Sequence, residues 1–131
     1  MKQPIIAFII CSTLITPSAV NACEGVIVKG KYCLSKNTMN YYTAYAWCDA
    51  QNMKLVDLPT VCGSYNSCPP LKLTDTEKQQ IKEKGGSVAH VLTNTSKSTS
   101  AVYGIKLTDA SLYDYGFDRS GTYGGVYALC Q

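Results

Sequence analysis

Cysteine is the residue type with the widest chemical reach in this 131-residue chain, and there are seven: Cys11, Cys23, Cys33, Cys48, Cys62, Cys68 and Cys130. Thiolates in close pairs bind zinc, and a thiolate beside a histidine can act as a nucleophile. An even set in an oxidising compartment forms disulfides. From Cys23 onward the gaps are 9, 14, 13, 5 and 61 intervening residues. None is the two-residue gap of a zinc pair, so the spacing favours disulfides. His90 is the only histidine, so a Ser-His-Asp or Cys-His device would have to be built on it. It sits in the run VAHVL, where a strand residue packed or half-exposed is expected. No nucleophile elbow, phosphate loop or metalloprotease helix is present. Asp109, Asp114 and Asp118 do not have the spacing of an EF-hand loop, and aspartate is at home in turns. The expectation is a chain with no catalytic residue, no metal and no other cofactor.

Tyrosine is the second chemical signal. There are ten tyrosines against two phenylalanines. The stretch LYDYGFDRSGTYGGVY brings Tyr113, Tyr115, Phe117 and Tyr123 close to Arg119 in sequence. Tyrosine and arginine bury large areas at low entropic cost, which suits a recognition surface, and tyrosine also stacks on sugar rings. Ordinary strand alternation would instead send half of these rings into the core. Tyr113, Tyr115, Phe117, Arg119 and Tyr123 are the expected ligand-binding group.

The first 22 residues, MKQPIIAFIICSTLITPSAVNA, have the composition of an export signal: Lys2, an apolar run from Ile5 to Ile15, and small residues at Val20-Asn21-Ala22. The apolar run is short of the roughly 20 residues that span a bilayer. Cleavage after Ala22 would remove Cys11 and leave six cysteines, an even number. A lipoprotein with lipid on Cys23 is the competing reading; it would strand one of the other five cysteines. The expected division is 1–22 as signal and 23–131 as one domain. A chain of 131 residues less 22 has 109, with 11 basic and 9 acidic side chains, a net charge of +2. That is too little to imply nucleic acid or an anionic membrane surface. Disulfides place the protein outside the reducing cytosol, secreted or periplasmic.

These groups need elements to hold them. Gly25–Val28 and Lys31-Tyr32 read as short strands around Gly30, a hairpin that a Cys23–Cys33 bond could close. SKNTMN reads as a polar connection. Asn40 is a good helix cap, and Tyr41, Ala44, Cys48 and Gln51 recur at steps of three and four, predicting a helix over Tyr41–Gln51 that ends at Asn52. Leu55, Val56 and Leu58 return to the core. Cys62 and Cys68 bracket a turn-rich loop. Thr74 and Glu77 form a capping box that opens a second helix, Asp75–Lys84. Strands are predicted over Ser87–Leu92, Ala101–Leu107 and Gly125–Cys130, with Thr93–Ser100 a polar loop and Asp109–Gly116 a turn region. The order gives α+β, with two helices flanking small antiparallel sheets.

The stretch KYCLSKNTMNYYTAYAWCDAQNMKLVDL, Lys31 to Leu58, resembles the C-type lectin-like domain. Its counterparts of the family pattern are Tyr32-Cys33, Met39-Asn40-Tyr41, Ala44, Cys48 and Lys54-Leu55-Val56-Asp57-Leu58. Val126 to Cys130 looks like the family's closing strand. The resemblance implies that Cys48 pairs with Cys130, that Cys23–Cys33 is the hairpin bond of the long form, and that Cys62–Cys68 closes a small loop. Sequence alone leaves 15 pairings of six cysteines open. The family's calcium-dependent sugar site uses a Glu-Pro-Asn or Gln-Pro-Asp triplet and a Trp-Asn-Asp triplet; this chain has neither, and its only tryptophan is Trp47. The resemblance therefore implies a compact, disulfide-stapled variant without the long calcium-binding loop. Its expected role is a secreted module for recognition or adhesion, binding a glycan or a cell-surface protein, with no membrane span. A structural subunit of a surface assembly is the alternative. Asn94-Thr95-Ser96 matches the acceptor pattern for N-glycosylation.

Overall fold

The computed structural model describes residues 23–131, so the expected export signal lies outside the described residues. Six strands form one mixed sheet: β1 (Val26–Val28), β2 (Tyr32–Thr38), β3 (His90–Ser96), β4 (Ala101–Lys106), β5 (Ser111–Asp118) and β6 (Val126–Cys130), in the order β1-β2-β6-β3-β4-β5. All neighbours are antiparallel except β3 and β6, which run parallel. The class is α+β. It differs from the expected small antiparallel sheets because β6 enters between β2 and β3 and joins two antiparallel halves into one sheet.

Among the described residues three α-helices accompany the sheet, one more than expected: α1 (Tyr41–Asp49), α2 (Leu58–Val61) and α3 (Asp75–Glu83). The Asn40 side chain accepts from the Thr43 N–H and caps α1, while Asn52, at φ 61°, takes the left-handed conformation just beyond it. The extra helix α2 carries Pro59 in its first turn. Proline fits a first helical turn, and the Asp57 carboxylate caps it by accepting from Thr60 N–H. At α3 the Thr74 hydroxyl and the Glu77 carboxylate satisfy each other's backbone N–H groups, forming the capping box. Ile81 is this helix's buried anchor, and burying such a side chain contributes about 1.5–3 kcal/mol.

Strand alternation sends successive side chains to opposite faces of the sheet, and each face has its own core. Val91 and Leu129 join Leu34, Val56, Leu58, Leu71 and Ile105 on one face. Leu92 and Ala128 join Ala44, Cys48, Leu55, Val102 and Phe117 on the other. Helix α1 packs against β6 and β3, placing Ala44 and Cys48 at zero exposure against the second face. A small residue at Ala44 lets the helix sit close to the sheet.

Three stretches differ from the sequence reading. β2 continues through Ser35–Thr38, which the polar composition marked as a connection. The buried Ser35 hydroxyl makes this workable: it accepts from Ala128 N–H at 2.9 Å and donates to the Asn37 carbonyl at 2.8 Å, where the ladder shifts register. β3 starts at His90 and runs on through Thr93–Ser96, leaving only residues 97–100 as a connection. Thr93, also buried, donates to the Tyr103 carbonyl at 2.8 Å and supports a second irregularity. Asp109–Gly116, expected as a turn region, instead supplies most of β5, because Leu112, Tyr113 and Phe117 gain partners on β4.

Among the described residues three disulfides are present: Cys23–Cys33, Cys48–Cys130 and Cys62–Cys68. A thioether-linked lipid on Cys23 would require the first bond to be absent. The Cys48–Cys130 bond joins residues 82 apart in sequence. Loop-closure entropy assigns it about 4.5 kcal/mol as an upper figure, against about 3 kcal/mol for Cys23–Cys33 and about 2 kcal/mol for Cys62–Cys68. Among the described residues no helix is long and apolar enough to cross a membrane. Replacing Cys48 and Cys130 together by alanine should lower the unfolding free energy by about 4 kcal/mol, more than the matched Cys23/Cys33 pair does. Denaturant titration of the two double variants checks that order, and an equal loss from both would contradict it.

Candidate functional site

On the second face of the sheet, α1 covers β6 and β3. Over β4 and β5 the cover is a group of aromatic rings. Phe117 lies on the strand itself: a Cβ at Gly104 would meet its ring at 2.2 Å, so only glycine allows so close an approach. The Tyr113 ring stacks on Phe117 at 4.8 Å with an interplanar angle of 8°. His90 meets Tyr113 edge-on at 4.9 Å and Phe117 at 5.9 Å. Tyr123 closes the other side, edge-on to Phe117 at 5.0 Å, and its hydroxyl accepts from Asp118 N–H at 2.9 Å. Offset-stacked and edge-to-face pairs of this kind contribute about 0.5–1.5 kcal/mol each beyond burial.

Of the five residues singled out from the sequence, the structure brings four together and separates one. Phe117 is 4% exposed and packs on Gly104, so it supports the group from below. Tyr113 and Tyr123 are half-buried, and Tyr115 is 82% exposed with its ring 5.8 Å from Tyr113. Arg119 turns away. Its guanidinium donates to the Thr99 carbonyl and the Ser96 hydroxyl and lies 5.4 Å from the Tyr41 ring. It ties the β3–β4 connection to α1 and is a fastening rather than part of the aromatic group.

Around Tyr113 and Tyr115 lies a shallow depression of about 400 Å³. Lys106, Asp114 and Asn66 line it together with the two rings, which places a cation, an anion and an amide beside an exposed aromatic face. Sequence reasoning missed this polar rim and missed His90 as a member of the group. The signal is in the strand register, His90 opposite Lys106 and Gly104 opposite Tyr113, which a single strand's sequence does not carry. Two further exposed tyrosines, Tyr42 and Tyr45 at 60% and 50%, stand on α1.

Charges near the group are held by local bonds. Asp109 accepts from the Ser111 hydroxyl and N–H, and Asp118 does the same with Ser120. These bonds hold both carboxyls below the ordinary aspartate range. Among the described residues no three His, Cys, Asp or Glu side chains come together to hold a metal ion. Neither a family model, nor a curated protein, nor a solved structure matches the chain.

Burial lowers the affinity of His90 for a proton, and the nearby Lys106 lowers it further against a smaller opposing pull from Asp109. The folded protein therefore binds fewer protons here than the unfolded chain. The stabilisation linked to neutral His90 is complete above its unfolded value of about 6.5 and is lost as pH falls through the lower folded value. Wild-type protein should thus lose stability relative to His90→Gln between about pH 7 and pH 5, measured by denaturant unfolding at each pH. A gap that stays constant, or opens in the other direction, would show that the imidazole is not desolvated by its ring neighbours.

Proposed function

We propose that this chain is an exported recognition module of compact C-type lectin-like type, which binds a carbohydrate or protein ligand through Tyr113 and Tyr115 without calcium. The observation that carries the reading is Tyr115, 82% exposed beside a Tyr113 ring that is itself fixed on buried Phe117. A large ring held in water costs little to order when a ligand arrives, because its neighbour is already immobilised. Lys106, Asp114 and Asn66 supply the directional bonds that an aromatic face lacks. The lectin-like part of the reading is supported by the bond from the first helix to the last strand and by the bonded N-terminal hairpin. Three disulfides fit an oxidising compartment.

The alternative, a subunit of a surface assembly, would draw on β5, since it is an edge strand of the sheet and an open edge can pair with another chain. The ladder between β4 and β5 shifts register, and Gly116 within β5 has φ 70°. Such a break works against extended edge pairing, which favours the recognition reading.

A glycan array together with pull-down from host cell surfaces should find a ligand whose binding falls at least about tenfold in Tyr115→Ala, roughly 1.4 kcal/mol. Tyr113→Phe should retain it. Because Tyr115 is exposed, its removal should leave stability within about 0.5 kcal/mol. Every detected interaction surviving Tyr115→Ala intact would remove the assignment.

A further inference from the structure

Beside the C-terminal half of α1 is a second cleft, remote in sequence from Tyr113 and Tyr115, with a volume of about 270 Å³. Its one aromatic wall is Tyr45, whose ring is half-exposed. Facing the same space are Asn94 from β3 and Lys54, Asp57 and Asp49 from around the end of α1, with Met53 and Leu55 as apolar lining. We infer that this cleft is a monosaccharide-binding site for a neutral hexopyranose.

Two of the polar groups are held in place before any ligand arrives. The Tyr41 hydroxyl donates to Asn94 Oδ1 at 2.5 Å, and Asn94's own N–H donates to the Val56 carbonyl. The amide orientation is thereby set, and its NH2, with two donors, bonds no other group among the described residues. Asp57 is fixed twice, Oδ1 accepting from Thr60 N–H at 2.9 Å and Oδ2 from Gln131 Nε2 at 3.0 Å. Each oxygen keeps further lone-pair capacity. Burial is the largest influence on this carboxyl and pushes it up, but the bonds from Thr60 and Gln131 outweigh it and keep it below the ordinary range. Near neutral pH it is an ionised acceptor.

The chemistry of this set selects the ligand. A pyranose has an apolar C–H face, which stacks on an exposed ring, and hydroxyls that need donors and acceptors together. Tyr45 supplies the first, and Asn94 with Asp57 the second. Two carboxylates against one ammonium disfavour an acidic sugar or a phosphate. The volume is under the roughly 300–1,000 Å³ that takes a drug-sized ligand, which limits the occupant to about one ring. A ligand of that size is expected to bind with a Kd of about 1 mM. The site does not depend on the Tyr113–Tyr115 assignment.

The test is a titration by 15N-correlated NMR of the disulfide-bonded protein with methyl glycosides of glucose, galactose, mannose and N-acetylglucosamine. The protein is made in a host that does not N-glycosylate Asn94. At least one glycoside should shift the Asn94 side-chain NH2 signals saturably. Tyr45→Ala and Asn94→Asp should each weaken that binding at least about tenfold, while Tyr45→Phe and Tyr115→Ala should preserve it. The inference is overturned if no glycoside at tens of millimolar moves those signals. It is equally overturned if the shifts centre on Tyr113 and Tyr115 and survive Tyr45→Ala.

Discussion

Cys48 and Cys130 are both fully buried, and the bond between them fastens α1 to the strand at the middle of the sheet. The ordering of the rest depends on that strand. β6 pairs with β2 on one side and β3 on the other, and these two partners belong to different hairpin halves of the chain. Without β6, β1-β2 and β3-β4-β5 would be two small sheets with unpaired inner edges. The bond sits inside the second core with Leu92, Val126 and Ala128. The covalent link and the apolar packing therefore stabilise the same arrangement. Gln131 extends it by exchanging two backbone bonds with Lys54 and by holding Asp57 through its side chain.

The consequence for function lies in how the second face of the sheet is divided. α1 shields the half over β6 and β3 with small buried residues, Ala44 and Cys48. Among the described residues no helix lies above the other half, and an uncovered sheet face would leave Val102 in water. Phe117, Tyr113 and Tyr123 fill the gap as side chains. Rings that serve as the lid of a core are immobile on their inner side and wet on their outer side. That is the condition under which aromatic residues become useful for recognition, and it explains why the ring-rich segment is a strand and not a flexible loop.

Local features were legible in the sequence and non-local ones were not. The capping box at Thr74–Glu77, the Asn40 cap, the left-handed Asn52 and the hairpin turn at Lys29-Gly30, with φ of 55° and 74°, all follow from residues a few positions apart. β4, expected over Ala101–Leu107, is found over Ala101–Lys106. β5 was not legible: Asp114, Gly116 and Asp118 are turn formers and outvoted the period-two placement of Tyr113, Tyr115 and Phe117. β2 and β3 were read with the wrong bounds because Ser35 and Thr93 look like loop residues. Only in the folded sheet do their hydroxyls find the carbonyls and N–H groups that make burial tolerable. The parallel pairing of β3 with β6 has no local signature at all. For the same reason the candidate site was half legible. The clustering of Tyr113, Phe117 and Tyr123 follows from their closeness in sequence. The loss of Arg119 to Ser96 and Thr99, and the arrival of His90 and Lys106, come from cross-strand register.

Peptide mapping of the non-reduced protein by mass spectrometry tests the central constraint most directly. The account predicts a cross-linked fragment joining the α1 peptide to the β6 peptide through Cys48 and Cys130, and no free thiol at either position. Either cysteine found reduced, or joined to Cys23, Cys33, Cys62 or Cys68, would contradict the placement of β6 and with it the aromatic face built beside it.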